Sequence, residues 1–482
     1  MLNMPDEPLL ERFAAITGAR HALRDEADKA PYLREWRDRF TGRAALVLRP
    51  ANVGEVSQIL ALAHETRTGI VPQGGNTGLV GGQIPDHSGG QIVLSLARLN
   101  ALREVDAQNN SMIVEAGCIL ADIQKRAEEA GRFFPLSLAS EGSCQIGGNL
   151  SSNAGGTGVL AYGAARELVL GLEVVLADGR TWNGLRTLRK DNTGYDLKSL
   201  FLGAEGTLGV ITAAALKLYP RPERLETALV ALPDPHAALA LLHDLGDIGG
   251  DLSAFEIMPH IGIEFVLRHV PGVRDPFDAP HPWYVLAEVS GGGAGLRETF
   301  EHALMAGFER RIITDVVIAQ NQSQREDFWR LRHGLSEAQK PEGGSIKHDI
   351  SVPVSRMPEF IERASAAVTE FLPGCRPVAF GHMGDGNVHF NVSQPEGMER
   401  EAFLAQWEAM NAVVHAIVME MDGSISAEHG IGILKRDLLP SVKSPVELEM
   451  MRMLKATLDP RGILNPGKLI PAATVSARDE DG

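Results

Sequence analysis

An alternating run bracketed by glycines constrains the fold of this 482-residue chain more than any other segment. In residues 381–392 (GHMGDGNVHFNV), apolar residues at 388, 390 and 392 alternate with Asn387, His389 and Asn391. Alternation with a period of two is typical of a β-strand. The pattern predicts a strand whose apolar face is packed and whose polar face is open, with the three polar side chains together.

Three potential metal ligands accompany this strand. His382 and His389 belong to the same segment, and Glu428 follows in a second glycine turn, residues 427–430 (AEHG). Two neutral imidazoles and one carboxylate leave a divalent ion with open positions, which suits catalysis better than structure, where four closed ligands are usual. A lone histidine is more often a hydrogen-bonded core or surface residue, but three candidates beside glycine turns favour a metal. We predict zinc on His382, His389 and Glu428, with manganese or cobalt as alternatives.

Length, charge and cysteine content exclude several classes of protein. A chain of 482 residues is too long for one ordinary core and predicts two or three domains. The net charge of −16, without a basic block, argues against a nucleic-acid partner. The three cysteines lack CxxC spacing and indicate a reducing compartment. No signal-peptide pattern opens the sequence, and no run approaches the roughly 18 apolar residues of a membrane span, so we expect a cytoplasmic protein.

Composition divides the chain into four parts. Short β-rich runs alternate with glycine loops and helical patterns from about residue 44 to 220, which predicts an α+β domain. Beyond residues 219–222 (YPRP), longer helical stretches follow. Residues 444–447 (SPVE) form a capping box that starts a late helix. The expected parts are an N-terminal helical segment (1–43), a first domain (44–221), a second domain (222–440) and a C-terminal helical segment (441–482) with a polar tail after Ala473.

Three glycine-rich loops lie in the first domain, at residues 71–79 (VPQGGNTGL), 142–156 (GSCQIGGNLSSNAGG) and 203–212 (GAEGTLGVIT). In the first loop, successive amide groups can point inward as an anion nest, where a diphosphate would fit. The second loop adds small hydroxyl and amide donors. One such loop is usually a mere turn. Three in one domain indicate a site for a close-lying, flat ligand with phosphate groups.

Together these motifs resemble the vanillyl-alcohol-oxidase type of FAD flavoprotein, in the branch that oxidises D-2-hydroxy acids. The resemblance is carried by residues 72–78 (PQGGNTG), 206–210 (GTLGV), 381–389 (GHMGDGNVH), 426–430 (SAEHG) and 459–467 (DPRGILNPG). It follows the family's order over about residues 40–470. It implies a PCMH-type FAD-binding domain of two α+β subdomains, an α+β substrate domain over an antiparallel sheet, and a C-terminal segment that returns to the flavin.

The resemblance also implies the cofactor-binding residues. The FAD diphosphate would lie on Gln73, Gly74, Gly75, Asn76, Thr77 and Gly78, and the rest of the cofactor would contact Ser143, Gly147, Gly148, Ser152, Val210 and Asn465. Some family members attach the flavin covalently to a histidine after the paired glycines of the first loop. Asn76 occupies that position here, so we expect non-covalent FAD.

The substrate residues implied by the resemblance are Arg332, Ser336, Lys347 and Asn387. Arg332 and Ser336 are four apart and would share a helix face. An arginine fork can bind one carboxylate while Lys347 supplies a second cation, so the expected substrate is a diacid, D-2-hydroxyglutarate or D-malate. One methylene separates these two acids, a difference worth only about 1 to 3 kcal/mol in a pocket.

The expected reaction is metal-assisted oxidation to the 2-oxo acid. The metal lowers the pKa of the substrate hydroxyl, His429 takes its proton, and the hydride on C2 passes to the flavin N5. Asn387 would orient the substrate from the strand face.

Other functions stay open at this point. The nearest is a D-lactate or glycolate dehydrogenase of the same group, against which only the second cation, Lys347, argues. A flavin oxidase that uses oxygen directly is another possibility, and a non-enzymatic flavoprotein electron-transfer subunit is a third. An electron-transfer flavoprotein as acceptor and a homodimeric state are expectations from the resemblance alone.

Overall fold

The structure is a computed structural model that describes residues 2–248, 250–293 and 295–471. Within those ranges no helix has both the length and the apolar character needed to cross a membrane. The polar tail predicted after Ala473 lies outside the described residues. Helices and strands are mixed throughout, as the α+β prediction requires, and the strands form three main sheets and one short pair.

The first sheet contains parallel strands. The elements of this part are α1 (Glu7–Thr17), β1 (Ala22–Leu23), α2 (Glu26–Leu33), β2 (Leu46–Leu48), α3 (Val53–Thr66), β3 (Ile70–Gln73) and β4 (Ile92–Ser95). The sheet order is β1-β2-β4-β3, with β2, β4 and β3 parallel and β1 antiparallel to β2. Helix α3 is capped at its N-terminus by Asn52, whose side chain accepts the amide of Glu55, and its buried stripe packs on this sheet.

The second sheet is antiparallel and has five strands. The elements of this part are β5 (Leu102–Asp106), β6 (Ser111–Glu115), α4 (Leu120–Glu129), β7 (Arg132–Phe133), α5 (Ile146–Ser151), α6 (Val159–Tyr162), β8 (Val169–Val175), β9 (Thr181–Gly184), α7 (Lys198–Phe201), β10 (Val210–Lys217) and β11 (Tyr219–Pro220). The sheet order is β5-β6-β10-β8-β9, and β7 pairs with β11. The turn between β8 and β9 needs Gly179, which has a φ of 86°.

The third sheet has seven antiparallel strands. The elements of this part are β12 (Arg224–Leu232), α8 (Pro235–Gly246), β13 (Asp251–Pro259), α9 (His260–His269), β14 (Trp283–Gly291), α10 (Leu296–Glu309), β15 (Asp315–Ile318), α11 (Gln322–Ala338), β16 (Ser345–Ser351), α12 (Met357–Phe371), β17 (Arg376–His382), β18 (Asn387–Ser393), α13 (Arg400–Leu404) and α14 (Trp407–Glu420). The order is β15-β12-β14-β13-β17-β18-β16. Helices α8, α10, α12 and α14 pack on one face, and α9 and α11 pack on the other.

The C-terminal segment returns to the part that holds the first two sheets, as the resemblance implies. Its helices are α15 (Leu439–Val442) and α16 (Pro445–Leu458), and the predicted capping box is present at the start of α16. Beyond α16, the amide of Ile70 donates to the carbonyl of Ile463 at 2.8 Å, and the amide of Asn465 donates to the carbonyl of Ile70 at 2.8 Å. These bonds attach the chain to the edge of the first sheet.

Candidate active site

A block of polar side chains occupies one face of the seven-stranded sheet, where β13, β17, β18 and β16 lie side by side. Asp349 of β16 lies opposite His389 of β18. Asn387 lies opposite His382 of β17, which in turn lies opposite Glu256 of β13. Opposite residues of antiparallel strands point to the same face. The register therefore gathers five polar residues from four strands into one place.

The predicted strand is present, and Asn387, His389 and Asn391 share a face as the alternation indicates. That face is not open, however. Asn387 is 6% exposed and Asn391 is 3% exposed. Period-two alternation identifies the polar face of a strand, but it does not show whether other parts of the chain cover that face. Here the polar residues lie inside the protein because they line a buried site.

Four ionisable side chains converge beside this strand: Asp349, His389, Glu428 and His429, with one potential ligand atom each, all within 4.8 Å of one another. His389 Nε2 lies 3.7 Å from Glu428 Oε1, and His389 Nδ1 lies 3.9 Å from Asp349 Oδ1. Burial lowers the pKa of His389 well below its usual value and lowers that of His429 to about 4. Burial also raises the pKa of Glu428 to about 7. Neutral imidazoles beside carboxylates form a donor set that fits a divalent ion.

His382, the third predicted ligand, lies at the edge of this cluster. Its ring centre is 5.4 Å from that of His389, and its Nδ1 lies 2.7 Å from Glu256 Oε1. Burial opposes a charge on His382, yet Glu256 outweighs it and raises the pKa to about 9. A metal-bound histidine usually gives its other ring N–H to a carboxylate, and metal binding displaces the ligand's proton. His382 therefore has the second-nitrogen partner that a metal ligand needs, and its Nε2 makes no hydrogen bond to a described residue.

Glycine-rich loops of the part that holds the first two sheets fix the segment that carries Glu428 and His429. The amide of Gly156 donates to Glu428 Oε2 at 3.0 Å. The carboxylate of Glu205 accepts the amides of Ile431 at 2.7 Å and Gly432 at 2.8 Å. The cluster is thus assembled from both halves of the molecule.

Asp349 fixes the same segment from the sheet side. Its Oδ2 accepts the amides of Glu428 at 3.1 Å and His429 at 2.9 Å. Its Oδ1 accepts the side-chain amide of Asn387 at 3.0 Å. Although burial opposes ionisation, the nearby His429, Lys435 and His389 hold the pKa of Asp349 well below its usual range. Asp349 therefore stays a carboxylate at the centre of the site.

The predicted substrate residues lie beside the cluster. Lys347 Nζ is 3.5 Å from the carbonyl oxygen of Ser336, so β16 and α11 meet at this point. Burial lowers the pKa of Lys347 to about 8. Arg332 is buried, and its Nε and Nη2 each lie 2.7 Å from Glu256 Oε2. This pair was not predicted, and it occupies two of the nitrogens of the guanidinium fork assigned to substrate. Within the described part of the chain, Nη1 has no hydrogen-bond or ion-pair partner.

The glycine loops have the features of a dinucleotide site. None of the amides of residues 74–78 donates a hydrogen bond to another described residue, so five donors are available in the loop predicted to hold the diphosphate. A Cβ on Gly75 would lie 2.2 Å from the carbonyl oxygen of Ser143, and one on Gly147 would lie 2.6 Å from the Cβ of Ala116. These two glycines are required by protein packing. Gly148 has nothing within 4 Å of the same position and borders open space, which fits a ligand.

Other predicted cofactor residues shape these loops. Asn76, with a φ of 55°, donates to the carbonyl oxygens of Pro31 and Arg34. Gln73 donates to the carbonyls of Tyr32 and Gln83, both at 2.9 Å.

Four further predicted residues belong to neighbouring segments. Asn465, with a φ of 43°, donates to the carbonyls of Gly82 and Glu205. Ser143 and Ser152 donate to carbonyls of their own loop, those of Ser140 and Gly148. Val210 is 1% exposed at the start of β10. The side chains of Asn465, Ser143 and Ser152 serve the loops, which leaves the backbone amides of residues 74–78 as the main donors toward a ligand.

Sequence reasoning missed four residues that hold the site: Asp349, Glu256, Glu205 and Gly156. The sequence does contain a signal for Asp349. It follows Lys347 by two residues on a strand, so the two side chains share a face of the sheet. Glu256 and Glu205 lie in different parts of the chain from the residues they hold, so no local pattern could assign them.

Comparison with known proteins identifies the class. Residues 44–184 match the model of the FAD binding domain family, and residues 221–469 match the C-terminal domain of FAD linked oxidases. The fold resembles p-cresol methylhydroxylase with substrate bound, at a TM-score of 0.74 and 16% identity over 96% of each chain. It also resembles alkyldihydroxyacetonephosphate synthase, at a TM-score of 0.72 and 17% identity over 97% of this chain and 86% of that one. The family matches and these folds together establish the PCMH-type fold of an FAD-linked oxidase.

Sequence relatives narrow the class. The chain is 36% identical to the mitochondrial D-2-hydroxyglutarate dehydrogenase of Arabidopsis thaliana, over 96% of this chain and 82% of the relative. It is 40% identical to the mitochondrial enzyme of Rattus norvegicus, over 91% and 80%, and 35% identical to D-2-hydroxyglutarate dehydrogenase of Stutzerimonas stutzeri, over 97% and 100%. The chain therefore belongs to the D-2-hydroxyglutarate dehydrogenase family of FAD-linked oxidases.

Proposed function

We propose that this chain oxidises D-2-hydroxyglutarate to 2-oxoglutarate with non-covalently bound FAD and a divalent metal ion. The observation that carries the proposal is the cluster of buried Asp349 with the partly buried His389, Glu428 and His429, which lies beside Lys347 in a chain of this family. Such a cluster offers metal ligands, a proton acceptor and a cation for a carboxylate in one place. The absence of a histidine at Asn76 supports dissociable FAD.

The proposed metal ligands are His382, His389 and Glu428. A bound ion supplies Lewis acidity toward the substrate hydroxyl, and zinc, manganese and cobalt all suit two histidines and one carboxylate. Glu256 orients His382, and Asp349 holds the backbone of Glu428. Metal analysis of purified protein, with activity followed through chelation and zinc return, tests the assignment. An active preparation without a divalent ion contradicts it.

His429 is the proposed base. Burial keeps its pKa near 4 against the pull of Asp349, so the imidazole is neutral at pH 7 and can accept the hydroxyl proton. Asp349 Oδ2 lies 3.4 Å from His429 Nδ1 and orients the ring. Bound FAD supplies the acceptor for the C2 hydride. His429→Asn should retain FAD and metal but slow flavin reduction, and normal reduction rates would contradict this role.

The proposed substrate contacts are Lys347 and the free Nη1 of Arg332 toward carboxylate oxygens, with Ser336 and Asn387 beside them. Asn387 donates its side-chain N–H groups to Asp349 and to the carbonyl of Ile350, so the orientation of its side-chain oxygen is fixed. An amide held in this way can position a substrate without reorganising.

The deciding experiment is an anaerobic titration of the FAD-loaded protein, with flavin absorbance as the readout. D-2-Hydroxyglutarate should bleach the flavin rapidly, D-malate less efficiently, and D-lactate and the L enantiomers poorly. Preferential bleaching by D-lactate would assign the chain to the monoacid dehydrogenases. Absence of bleaching by any of these acids would contradict the proposed reaction.

Several finer assignments belong to the same proposal. An electron-transfer flavoprotein is the proposed acceptor and a homodimer the proposed state, both from the family resemblance, and reoxidation assays and light scattering test them. The division of the chain into four parts, with boundaries after residues 43, 221 and 440, is proposed as well.

Cytoplasmic location is supported by three unpaired, buried cysteines. The plant and animal relatives are named mitochondrial, so cell fractionation is the test.

A further inference from the structure

The segment that carries Glu428 and His429 has no regular secondary structure. Residues 428–434, which we call the linking segment, form neither helix nor strand. Its backbone groups therefore depend on other parts of the chain for hydrogen bonds, and those partners determine its shape. On the side of the seven-stranded sheet, the partner is Asp349, which accepts the amides of Glu428 and His429.

On its other side, the linking segment contacts the glycine-rich loops predicted to bind FAD. Directly after the first loop, the carbonyl of Val80 accepts the amides of Ile433 at 2.9 Å and Leu434 at 3.2 Å. At the end of the second loop, the amide of Gly156 donates to Glu428 Oε2 at 3.0 Å. The metal-ligand candidate Glu428 is thus held by a hydrogen bond from a predicted cofactor loop.

The third glycine-rich loop contacts the linking segment through Glu205. Its two carboxylate oxygens accept one amide each, that of Ile431 on Oε1 at 2.7 Å and that of Gly432 on Oε2 at 2.8 Å. Gly430, with a φ of 82°, permits this approach, because a Cβ there would lie 2.7 Å from Glu205 Oε1. Glu205 therefore fixes the backbone that directly follows the candidate ligand and base.

The backbone of Glu205 is attached to other predicted cofactor residues. Its amide donates at 2.8 Å to the carbonyl of Ser151 in α5, the helix that carries Gly147 and Gly148. Its carbonyl accepts the side-chain amide of Asn465 at 2.8 Å. Glu205 has a φ of 51°, a conformation that a residue with a side chain keeps only where its surroundings impose it. The loops that would contact FAD thus direct the Glu205 carboxylate at the linking segment.

A bound cofactor should restrict these loops. The five amides of residues 74–78 donate to no described residue, so the phosphate oxygens of FAD would supply their acceptors. A ligand that orders a segment lowers the entropy cost of ordering it for a second ligand. The two ligands then raise each other's affinity by the same factor, because such coupling is reciprocal.

We infer that Glu205 couples FAD binding to metal binding, by holding the linking segment in the conformation that places Glu428 and His429 at the metal site. Glu205 is a positioning residue, because it acts through the backbone of the linking segment. The inference rests on the proposed FAD and metal sites and adds the dependence of each on the other. FAD should raise the affinity for zinc, and zinc should raise the affinity for FAD.

The test measures the FAD affinity of the full-length protein with and without zinc. Protein that is loaded with FAD is stripped of divalent ions by a chelator and diluted into buffer that contains either zinc or the chelator. The fluorescence of released FAD gives the two dissociation constants, and their ratio is the coupling factor. The measurement is repeated with manganese and with cobalt, and it requires no turnover of substrate.

Two variants assign the coupling to Glu205. Glu205→Gln keeps the length of the side chain but leaves one acceptor oxygen for the two amides. Glu55→Gln is the matched control. Glu55 is also partly buried, and its carboxylate also accepts two N–H groups, from the backbone of Ala51 and the side chain of Asn52, but these lie at the start of α3. Thermal unfolding confirms that each variant is folded.

Wild type should bind FAD about 5-fold or more tightly with zinc than without it. Glu205→Gln should reduce this factor to less than about 2-fold, whereas Glu55→Gln should keep the wild-type factor. If Glu205→Gln weakened FAD binding equally with and without zinc, the factor would be unchanged and the inference would be overturned, because Glu205 would only stabilise the fold. A wild-type factor of about 1 with all three ions would overturn it without any variant.

Metal analysis separates this inference from the proposed function. Protein that holds a stoichiometric divalent ion, but whose FAD affinity does not depend on that ion, keeps the proposed metal site and overturns the coupling. Protein that binds FAD but no divalent ion overturns both. Failure of D-2-hydroxyglutarate to bleach the flavin, together with FAD affinity that depends on zinc through Glu205, overturns the proposed reaction and supports the coupling.

Discussion

Two buried carboxylates on one face of the seven-stranded sheet each form an ion pair with an arginine of α11, but the two ion pairs have different roles. On β13, Glu256 accepts the guanidinium of Arg332, and on the neighbouring β14, Glu288 accepts that of Arg325. Both arginines come from α11, and both carboxylates are buried, at 1% and 6% exposure. The difference lies in one further partner, because Glu256 also binds His382. A buried ion pair alone does not mark an active site, whereas its link to a metal-ligating residue type does.

Glu288 shows what the pair does without that link. Its remaining partners are the indole N–H of Trp329 at 3.2 Å and the hydroxyl of Thr227 at 2.8 Å. Burying a carboxylate is costly unless its oxygens are hydrogen-bonded, and here they are. This pair fixes α11 on the sheet. Glu256 and Arg332 fix α11 at a point nearer its C-terminal end. They also set the orientation of His382.

The substitution Glu256→Gln tests this comparison most directly and should have the largest effect. The change leaves the shape of the side chain but removes the charge between Arg332 and His382. Loss of a carboxylate that supports a metal-binding histidine typically lowers metal affinity or activity by about 10- to 100-fold. Breaking a buried pair also costs about 3 to 5 kcal/mol of stability. Metal titration and flavin-reduction rates measure the first effect, and denaturant unfolding measures the second. Unchanged metal affinity would show that His382 is not a ligand.

Asp349→Asn should have the next largest effect. The amide has one acceptor oxygen, so it cannot accept both the backbone amides of Glu428 and His429 and the side-chain amide of Asn387. It also no longer attracts the proton that His429 takes. We expect flavin reduction to slow by about 10- to 100-fold, as for other residues that orient ligands. FAD content should stay normal. Stopped-flow reduction at saturating substrate gives the rate, and wild-type rates would leave Asp349 with a purely structural role.

Much of this site could be predicted from the sequence where the signal is local. The alternation around His389 gave the strand and its polar face, and Ser444 with Glu447 gave the start of α16. The first glycine loop marked a segment, residues 74–78, whose backbone amides are free. Each of these signals lies within about ten residues of sequence, so local interactions are enough to determine the structure that it predicts.

The rest depends on long-range pairing. Glu256 meets His382 because β13 and β17 are neighbours, although 126 residues separate them in sequence. Ala405 and Gln406 separate α13 from α14, a break that apolar periodicity in the sequence does not show. The polar face of β18 was predicted open and is buried. Partners of this kind follow from strand order, which a single sequence does not reveal.

Glu288→Gln is the matched control for Glu256→Gln. It removes a charge from the same face of the same sheet and leaves Arg325 partly unpaired, but it touches no residue of the cluster. Because Arg325 retains access to solvent, we expect a loss of about 1 to 3 kcal/mol in the free energy of unfolding. Metal affinity and kcat should stay within about 2-fold of wild type. A loss of metal from this variant would show that any loosening of α11 disrupts the site, and the comparison between the two ion pairs would fail.

The smallest expected effect concerns a third carboxylate, Glu342, which lies just beyond α11 at the rim of the sheet. Although desolvation opposes ionisation, hydrogen bonds from His269, Arg376 and Arg268 lower its pKa from 4.5 to about 2. Its folded-state pKa lies below its unfolded value, so the carboxylate stabilises the protein above about pH 4.5, and this contribution is lost as the pH falls toward 2.

For Glu342→Gln, we therefore expect a deficit of about 1 kcal/mol against wild type at pH 7, a modest value because solvent screens pairs at the rim. The deficit should narrow as the pH is lowered from 5 to the lowest value at which both proteins stay folded. Denaturant unfolding across that range measures it. A deficit independent of pH would show that Glu342 stabilises the protein through packing and not through its charge. Glu256 differs from Glu342, because removing the Glu256 carboxylate should change metal binding and flavin reduction as well as stability.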